Sequence, residues 1–519
     1  MMLPLPLFWA SILAPLILGL VAAAKRELGR GLVNAVAYLS AAFLAIPGIV
    51  ALAYSPRINL ASWIVDPLFI DLRGSSIGVI ALGLDGVSAP VVIGVSLVTA
   101  LVSIYSIKYM THRIEELRRE GEEPPGLGVY FSLYNMFSIS MLGMALSTNL
   151  LEFYVFLEIS LVSSFALIAL YGYGDRRRIA LLYFIWTHVG GALFLIGILY
   201  YWTQVGLFDV VDVTGGRGVY VAESLAGSAA LYAMVALVLG LLVKMAIVGV
   251  HMWLPYAHAE APTPVSALLS PNLVGIGGYA LARFALPIFP EGMERASTAL
   301  IALSIATIIY GGLVALRQTD FKRFLAYSSI SQMGYMLLGV STLTAAGIGG
   351  AMLQYLSHAV GKAILFMVAG VFIAELSGLR DMGKMGGFAA RYPLMAAAAL
   401  LGFFHLVGIP PAIGMWGEVL LVIGYSQALG PYGAQALLLV AVTVIAAFTI
   451  TAAYSFIAMR RIFFGPLRRN ISGESLDAFK ASIIVIGVIG VFLFIAVTPL
   501  SEGLRASSEL LAAIGGGGS

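Results

Sequence analysis

The chain has 519 residues, 60% of them hydrophobic and only 11% charged, against about 25% charged in an ordinary soluble domain. A water-soluble globular fold is excluded, and a net charge of +3, with basic residues in short clusters, gives nucleic-acid binding no footing. Cysteine is absent, so no disulfide, thiolate-held metal cluster or thiol nucleophile can form, and any electron chemistry belongs on another chain.

A bilayer core is crossed by about 20 apolar helical residues. Fourteen stretches qualify, at 3–23, 32–55, 86–111, 128–147, 150–171, 177–203, 228–254, 264–289, 296–316, 323–341, 346–376, 393–426, 432–459 and 481–501, numbered here as spans 1–14. The first is followed, not preceded, by its charges (Lys25, Arg26, Arg30), so it reads as a span and not as a cleavable signal peptide. Residues 56–85 alternate polar and apolar around Asp66, Asp71 and Arg73, the pattern of an extracytoplasmic hairpin or loop, and Asp85 reads as a helix cap. The tail Gly515–Ser519 is linker-like and carries no function. Loops after odd-numbered spans hold twenty-one Lys/Arg residues against six on the other side, which places both termini outside the cytoplasm of a cell membrane.

Ionisable groups inside apolar spans cost about 2.5–3.5 kcal/mol each on insertion scales and mark function by default. They are Glu158 in span 5, His188 in span 6, Lys244 and His251 in span 7, His358 and Lys362 in span 11, and His405 and Glu418 in span 12. The two deep cations are both lysines, which can release a proton where arginine cannot. Gln354, His358 and Lys362 recur every four residues and share a helix face; Lys244 and His251, seven apart, are expected to share another before Pro255. Span 12 is interrupted by Gly408-Ile409-Pro410-Pro411, and broken helices in membranes line polar cavities. The plainer alternatives are a static Glu158–Lys244 ion pair, helix-to-helix hydrogen bonds for His188 and His405, and snorkelling to water for Glu152 and Glu375 near helix ends.

Spans 6 and 11 share a faint His188-Val-Gly-Gly-Ala-Leu-Phe/His358-Ala-Val-Gly-Lys-Ala-Ile-Leu-Phe pattern five spans apart. A tandem unit with an odd number of spans is inverted in the membrane. The expected fold is therefore an all-α polytopic membrane protein of about 14 transmembrane helices, with two inverted five-helix repeats and broken helices 7 and 12. It divides into 1–127 (spans 1–3 and the hairpin), 128–290 (first repeat, spans 4–8), 291–462 (second repeat, spans 9–13) and 463–519 (span 14 and tail).

The stretches Leu151-Glu-Phe-Tyr-Val-Phe-Leu-Glu158, Lys244-Met-Ala-Ile-Val-Gly-Val-His-Met-Trp-Leu-Pro-Tyr-Ala-His258-Ala-Glu-Ala-Pro-Thr-Pro264, Tyr327-Ser-Ser-Ile-Ser-Gln-Met-Gly334 and Gly408-Ile-Pro-Pro-Ala-Ile-Gly-Met-Trp-Gly-Glu418 resemble the antiporter-like subunits of respiratory complex I, related to Mrp cation/proton antiporters and membrane-bound hydrogenases. The resemblance covers roughly residues 80–505 and is nearest the subunit M/Mrp D branch, without a long lateral helix after span 14. It implies a coupling pair at Glu158 and Lys244, a central polar axis at His358 and Lys362, and a terminal group at Glu418. Three positions depart from the family pattern: Gly275 stands where a span-8 lysine is usual, Leu182 where a span-6 lysine is frequent, and Gln332 where histidine is common. His251 and the surroundings of Asn272 are candidates to bridge the gap at Gly275.

The function implied is proton, or sodium, translocation driven by a partner redox module, through Glu158, Lys244, His251, His358, Lys362 and Glu418, with His188 beside them. No cofactor or metal is expected on the chain. Its partners are other membrane and hydrophilic subunits and the lipid bilayer. An Mrp-type sodium/proton antiporter subunit and a scaffold subunit that has lost transport are the alternatives.

Overall fold

The computed structural model describes residues 2–24, 29–55, 63–213 and 219–514. Lys25, Arg26, Arg57 and Arg217, used in the charge count, and the Gly-Ser tail lie outside the described residues. The chain is mostly helical: α1 (Leu7–Ala23), α2 (Arg30–Tyr54), a hairpin of β1 (Ile64–Asp71) and β2 (Val79–Leu84), then α3 (Ser88–Arg119), α4 (Leu127–Leu146), α5 (Leu150–Tyr171) and α6 (Arg176–Val205). A two-residue ribbon, β3 (Val211–Asp212) with β4 (Val219–Tyr220), leads into α7 (Ser228–Lys244) and α8 (Trp253–Glu260). There follow α9 (Thr263–Ile288), α10 (Pro290–Arg317), α11 (Phe321–Ser341), α12 (Ala345–Glu375), α13 (Pro393–Val407), α14 (Gly414–Leu429), α15 (Ala434–Phe463), α16 (Ala478–Ile495) and α17 (Val497–Ile514). Ten helices among the described residues (α2–α6, α9, α10, α12, α15 and α16) are long and apolar enough to cross a bilayer.

The expected hairpin is present, antiparallel, with an irregular register between Val65 and Phe69. The irregular segment holds Asp66, whose carboxylate accepts from the Phe8 and Trp9 amides at 2.8 and 3.2 Å. It thereby caps α1, which offers no capping side chain of its own. On the other strand, the Val79 amide and the Asn149 side chain both donate to Asp209 at 2.8 Å, tying the hairpin to the start of α5. Asp85 caps α3 through the Ser88 amide at 2.9 Å, as expected, and also holds buried Arg283 of α9 at 2.6 and 3.0 Å under the ring of Trp63.

Burial sorts the helices into shells. The apolar windows of α9 and α12 are buried throughout, that of α3 over 78%, and that of α15 over only 17%. Large exposed apolar side chains such as Ile185 and Val189 of α6 and Leu438 and Ile445 of α15 form the outer surface. Such a surface would be an aggregation liability in water and suits lipid contact. Near one end, Glu375 of α12 pairs with Lys480 at 2.9 Å and Lys108 of α3 at 2.8 Å, and Lys108 reaches Asp477 at 2.8 Å, locking α3, α12 and α16 together. Glu375 is thus engaged in protein contacts rather than snorkelling. Glu152 is also buried, against the expectation that it reaches water; one oxygen accepts from the Thr148 amide at 3.3 Å.

Both expected helix breaks are present, the first displaced. Span 7 does not bend at Pro255 but ends at Lys244, and the chain turns through Ala246 (φ 52°) and Gly249 (φ 96°) before α8 begins at Trp253. Proline sits comfortably in the first turn of α8, where its missing N–H has no intrahelical role. His251 therefore lies beyond the break and shares no helix face with Lys244. The second break falls at Gly408 (φ 70°), where a Cβ would also collide with the Glu418 carboxylate, so glycine is required twice over. A further irregularity was not expected: α9 opens into π-turns at Leu269–Leu273, around Pro271, and at Leu281–Ala285. Span 14 also ends earlier than its hydropathy suggests, at Ile495. The chain continues as α17, an 18-residue amphipathic helix whose Leu500, Leu504 and Leu511 pack inward.

Candidate functional site

The ionisable residues fall into two clusters, one on α5–α8 and one on α11–α14. In the first, the Glu158 carboxylate meets His188 Nδ1 at 3.1 Å, and the imidazole stacks on Phe184 with its side chain 50% exposed on the outer face of α6. Gly191 leaves the space that the carboxylate occupies. The Lys244 ammonium is buried and has no hydrogen-bond partner among the described residues; it forms no contact ion pair with Glu158, although the Glu158 charge acts on it. Lys244 ends its helix, where the positive charge is favoured by the helix dipole. The turn after it is stitched by Trp253 Nε1 donating to the Val243 carbonyl at 3.0 Å and by the Val248 amide donating to Thr307 at 3.3 Å. His251, past this turn, meets the Tyr310 hydroxyl at 3.2 Å.

The second cluster is buried, and in it Lys362, Gln354 and Gln332 are hydrogen-bonded while both ring nitrogens of His358 and Glu418 Oε1 have no partner among the described residues. Lys362 of α12 donates to the Leu325 carbonyl at 2.8 Å and to Ser328 of α11. One turn along, His358 is fully buried beside the Pro271 carbonyl of α9. A further turn along, Gln354 Nε2 donates to Gln332 Oε1 at 2.6 Å. Gln332 in turn donates at 3.1 Å to both the Leu406 carbonyl and the Tyr454 hydroxyl. The Leu406 carbonyl is free because α13 stops at Val407, and the His405 carbonyl is likewise taken by Ser357 at 2.7 Å. The broken helix thus supplies acceptors that α11 and α12 satisfy. The Glu418 carboxyl, one turn into α14, is buried beside Gly408, within electrostatic reach of Tyr335 and Tyr454. His405 makes helix-to-helix contact through Ser357 at 3.1 Å, the plainer of its two expected roles.

The structure lines up Gln354, His358 and Lys362 on α12, with Gln354 against Gly417, the residue before Glu418, and separately joins Glu158 and His188 with Lys244 nearby; His251 stands apart. Buried cations also exceed the two lysines expected from hydropathy. Lys322, assigned to a loop by sequence, is fully buried and donates to the Ala261 carbonyl, and His258 lies buried within reach of Lys322, Lys362 and His358. Ser328, Gln332 and Tyr335 were not singled out as a polar face, yet their spacing of four and three residues is the same helical signal that Gln354, His358 and Lys362 give.

The family model described as "NADH:quinone oxidoreductase/Mrp antiporter, TM" matches residues 147–451, and one described as "NADH-Ubiquinone oxidoreductase (complex I), chain 5 N-terminus" matches residues 76–119. Among individual proteins, the chain is 34% identical over 345 residues to NADH-quinone oxidoreductase subunit M of Rickettsia conorii, a match covering 66% of each chain. It is 30% identical over 449 residues to F(420)H(2) dehydrogenase subunit M of Methanosarcina mazei, covering 84% of this chain and 85% of that protein. Its fold matches a chain of respiratory complex I from Thermus thermophilus with a TM-score of 0.81, 26% identity and coverage of 98% and 99% of the two chains. A chain of the Mrp complex from Dietzia matches at a TM-score of 0.79 and 22% identity over 98% of each chain, a likeness of fold alone. The chain belongs to the NADH:quinone oxidoreductase/Mrp antiporter family of membrane subunits.

Proposed function

We infer that this chain is an antiporter-like, proton-translocating subunit that works inside a multi-subunit membrane redox complex. The observation that carries the reading is the row of buried protonatable and hydrogen-bonding side chains Lys362, His358, Gln354, Gln332 and Glu418, built onto a broken helix inside an otherwise apolar protein. The fourteen-span count is supported by the positions of the helices: the ten long apolar ones account for ten spans, and α1, α7 with α8, α11 and the α13–α14 pair fall on the other four. The inverted repeat is supported by the placement of its breaks: each falls in the fourth span of its five, after Lys244 in one and before Glu418 in the other. The charge count supports both termini lying outside the cytoplasm, so a cysteine placed at Arg177 should resist an impermeant thiol reagent in intact cells while one at Arg295 reacts.

Mechanistically, the lack of a partner leaves the Lys244 ammonium responsive to the charge of Glu158, whose own contact is an imidazole able to exchange a proton. A change of charge at that pair changes the field at Lys244 and so how firmly it holds its proton. The released proton is passed toward His358 and Lys362 and leaves by Glu418. Lys244→Arg tests this, because arginine keeps the positive charge but does not release a proton. Proteoliposomes holding the whole complex should lose driven proton uptake with both Lys244→Arg and Lys244→Ala. Parent-level uptake by the arginine variant would show a static charge in place of a carrier. Repeating the assay with and without sodium separates the proton from the sodium reading.

A further inference from the structure

Between the two clusters runs the middle of α9, and its side chains there are the smallest available. Gly275, Gly277 and Gly278 present a bare backbone to α12, α11 and the end of α7. The space is filled by three large side chains. A Cβ on Gly277 would stand 2.6 Å from Met245, the residue after Lys244, and one on Gly278 would stand 2.8 Å from Met336 of α11. A Cβ on Gly275 would stand 2.6 and 2.7 Å from two ring carbons of Tyr355. The same ring is approached from its other edge by Gly94 of α3, where a Cβ would lie 3.3 Å away. Two glycines on separate helices thus form a slot for one aromatic ring.

Tyr355 is fully buried on α12, one residue from Gln354 and three from His358. Its hydroxyl donates at 3.0 Å to the Asn272 carbonyl, which lies in the first π-turn of α9. The Asn272 side chain is itself buried, with neither its nitrogen nor its oxygen hydrogen-bonded among the described residues. A buried amide of that kind is normally satisfied by protein or water. Met245, Met336 and Tyr355 thus form a layer against the glycine run of α9, with Met245 next to Lys244 in the chain and Tyr355 three residues from His358. Thioether and aromatic side chains carry no water chain. The one member of this layer held by a single, breakable hydrogen bond is Tyr355.

We propose that Tyr355 is a gating residue, a ring latched to the Asn272 carbonyl in the glycine slot, which separates the Lys244 cluster from the His358 cluster and must swing out for a proton to pass between them. The proposal rests on the reading that protons move from one cluster to the other. Closed, the ring prevents passive proton leakage through the protein. Open, it uncovers the Asn272 amide next to His358, where water can complete the path.

The test uses proteoliposomes of the whole complex and two readouts: passive proton permeability without the driving reaction, and protons taken up per driven turnover. Tyr355→Ala removes the ring and should raise passive permeability several-fold while lowering protons per turnover. Tyr355→Phe keeps the ring without its latch and should leak measurably, but less. Gly275→Ala closes the slot from the other wall, forces the ring out and should leak like Tyr355→Ala; it serves where the alanine variant of Tyr355 does not assemble. Adding Lys244→Ala to a leaking variant should reduce the leak. Parent-level permeability and stoichiometry in Tyr355→Phe together with either Tyr355→Ala or Gly275→Ala would overturn the gate. A leak that Lys244→Ala leaves unchanged would keep the gate but refute the route through Lys244, so the two failures are distinguishable.

Discussion

The two clusters use the same side-chain chemistry, a lysine and a glutamate with histidine nearby, and hold it in opposite ways. Lys362 is fully buried in the middle of the protein and donates to a carbonyl and a hydroxyl; Lys244 is also buried but donates to nothing among the described residues. Glu418 sits inside the fold against a broken helix, whereas Glu158 reaches outward to a histidine half exposed on the face of α6. A charge already engaged by fixed dipoles resists perturbation, because moving it breaks hydrogen bonds that a low-dielectric interior makes costly to lose. A charge with no fixed partner follows whichever neighbour changes. Lys244 is placed to respond, and Lys362 to hold and pass on.

That contrast can be broken at its strongest point by removing the protonatable groups of the second cluster. Lys362→Met deletes a buried carrier, and driven proton uptake by the reconstituted complex should fall by about a hundredfold or more, the scale of a lost acid–base group. Glu418→Gln should impair uptake in the same assay while leaving the assembled complex intact, since the amide keeps the size and polarity of the carboxyl. Uptake at the parent rate by the glutamine variant would place the exit elsewhere.

A smaller effect should come from Gln332→Leu, which leaves the Leu406 carbonyl and the Gln354 and Tyr454 side chains without their partner. Unsatisfied buried polar groups cost about 1–3 kcal/mol each. The solubilised complex should therefore melt at lower temperature, and proton uptake should fall in step with the disturbed network. An unchanged melting temperature would show that the hydrogen bonding around Gln332 is incidental.

The smallest effect belongs to His188→Gln. A partly exposed contact of this kind is worth about 1 kcal/mol or less, so stability should barely change. The pH dependence of driven uptake should nevertheless shift, because glutamine cannot exchange a proton with Glu158. An unaltered pH profile would reduce His188 to a packing residue and leave the first cluster with Glu158 and Lys244 alone.

Hydropathy over windows of about 20 residues was enough to place the ten helices long and apolar enough to cross a membrane, because each must satisfy its own backbone and bury an apolar surface wherever it packs. The same local logic identified the hairpin, the Asp85 cap, the break at Gly408 and the face shared by Gln354, His358 and Lys362. These are features that a short segment imposes on itself.

What the chain left to the tertiary fold is every relation between segments. The Asp66 cap on α1, the Arg283 partner of Asp85, the pairing of Glu158 with His188 and the burial of Lys322 join residues far apart in sequence, and no periodicity announces them. The break after Lys244 was misplaced because proline is an obvious interruption. A positive φ at Ala246, a non-glycine residue, is stabilised by Trp253 and Thr307 returning from later in the chain. Gly275 shows the same division most plainly. Sequence shows only a residue without a side chain; the fold shows that the missing side chain is the slot in which Tyr355 lies. Local composition decides where a helix forms, and only packing decides what fills the space beside it.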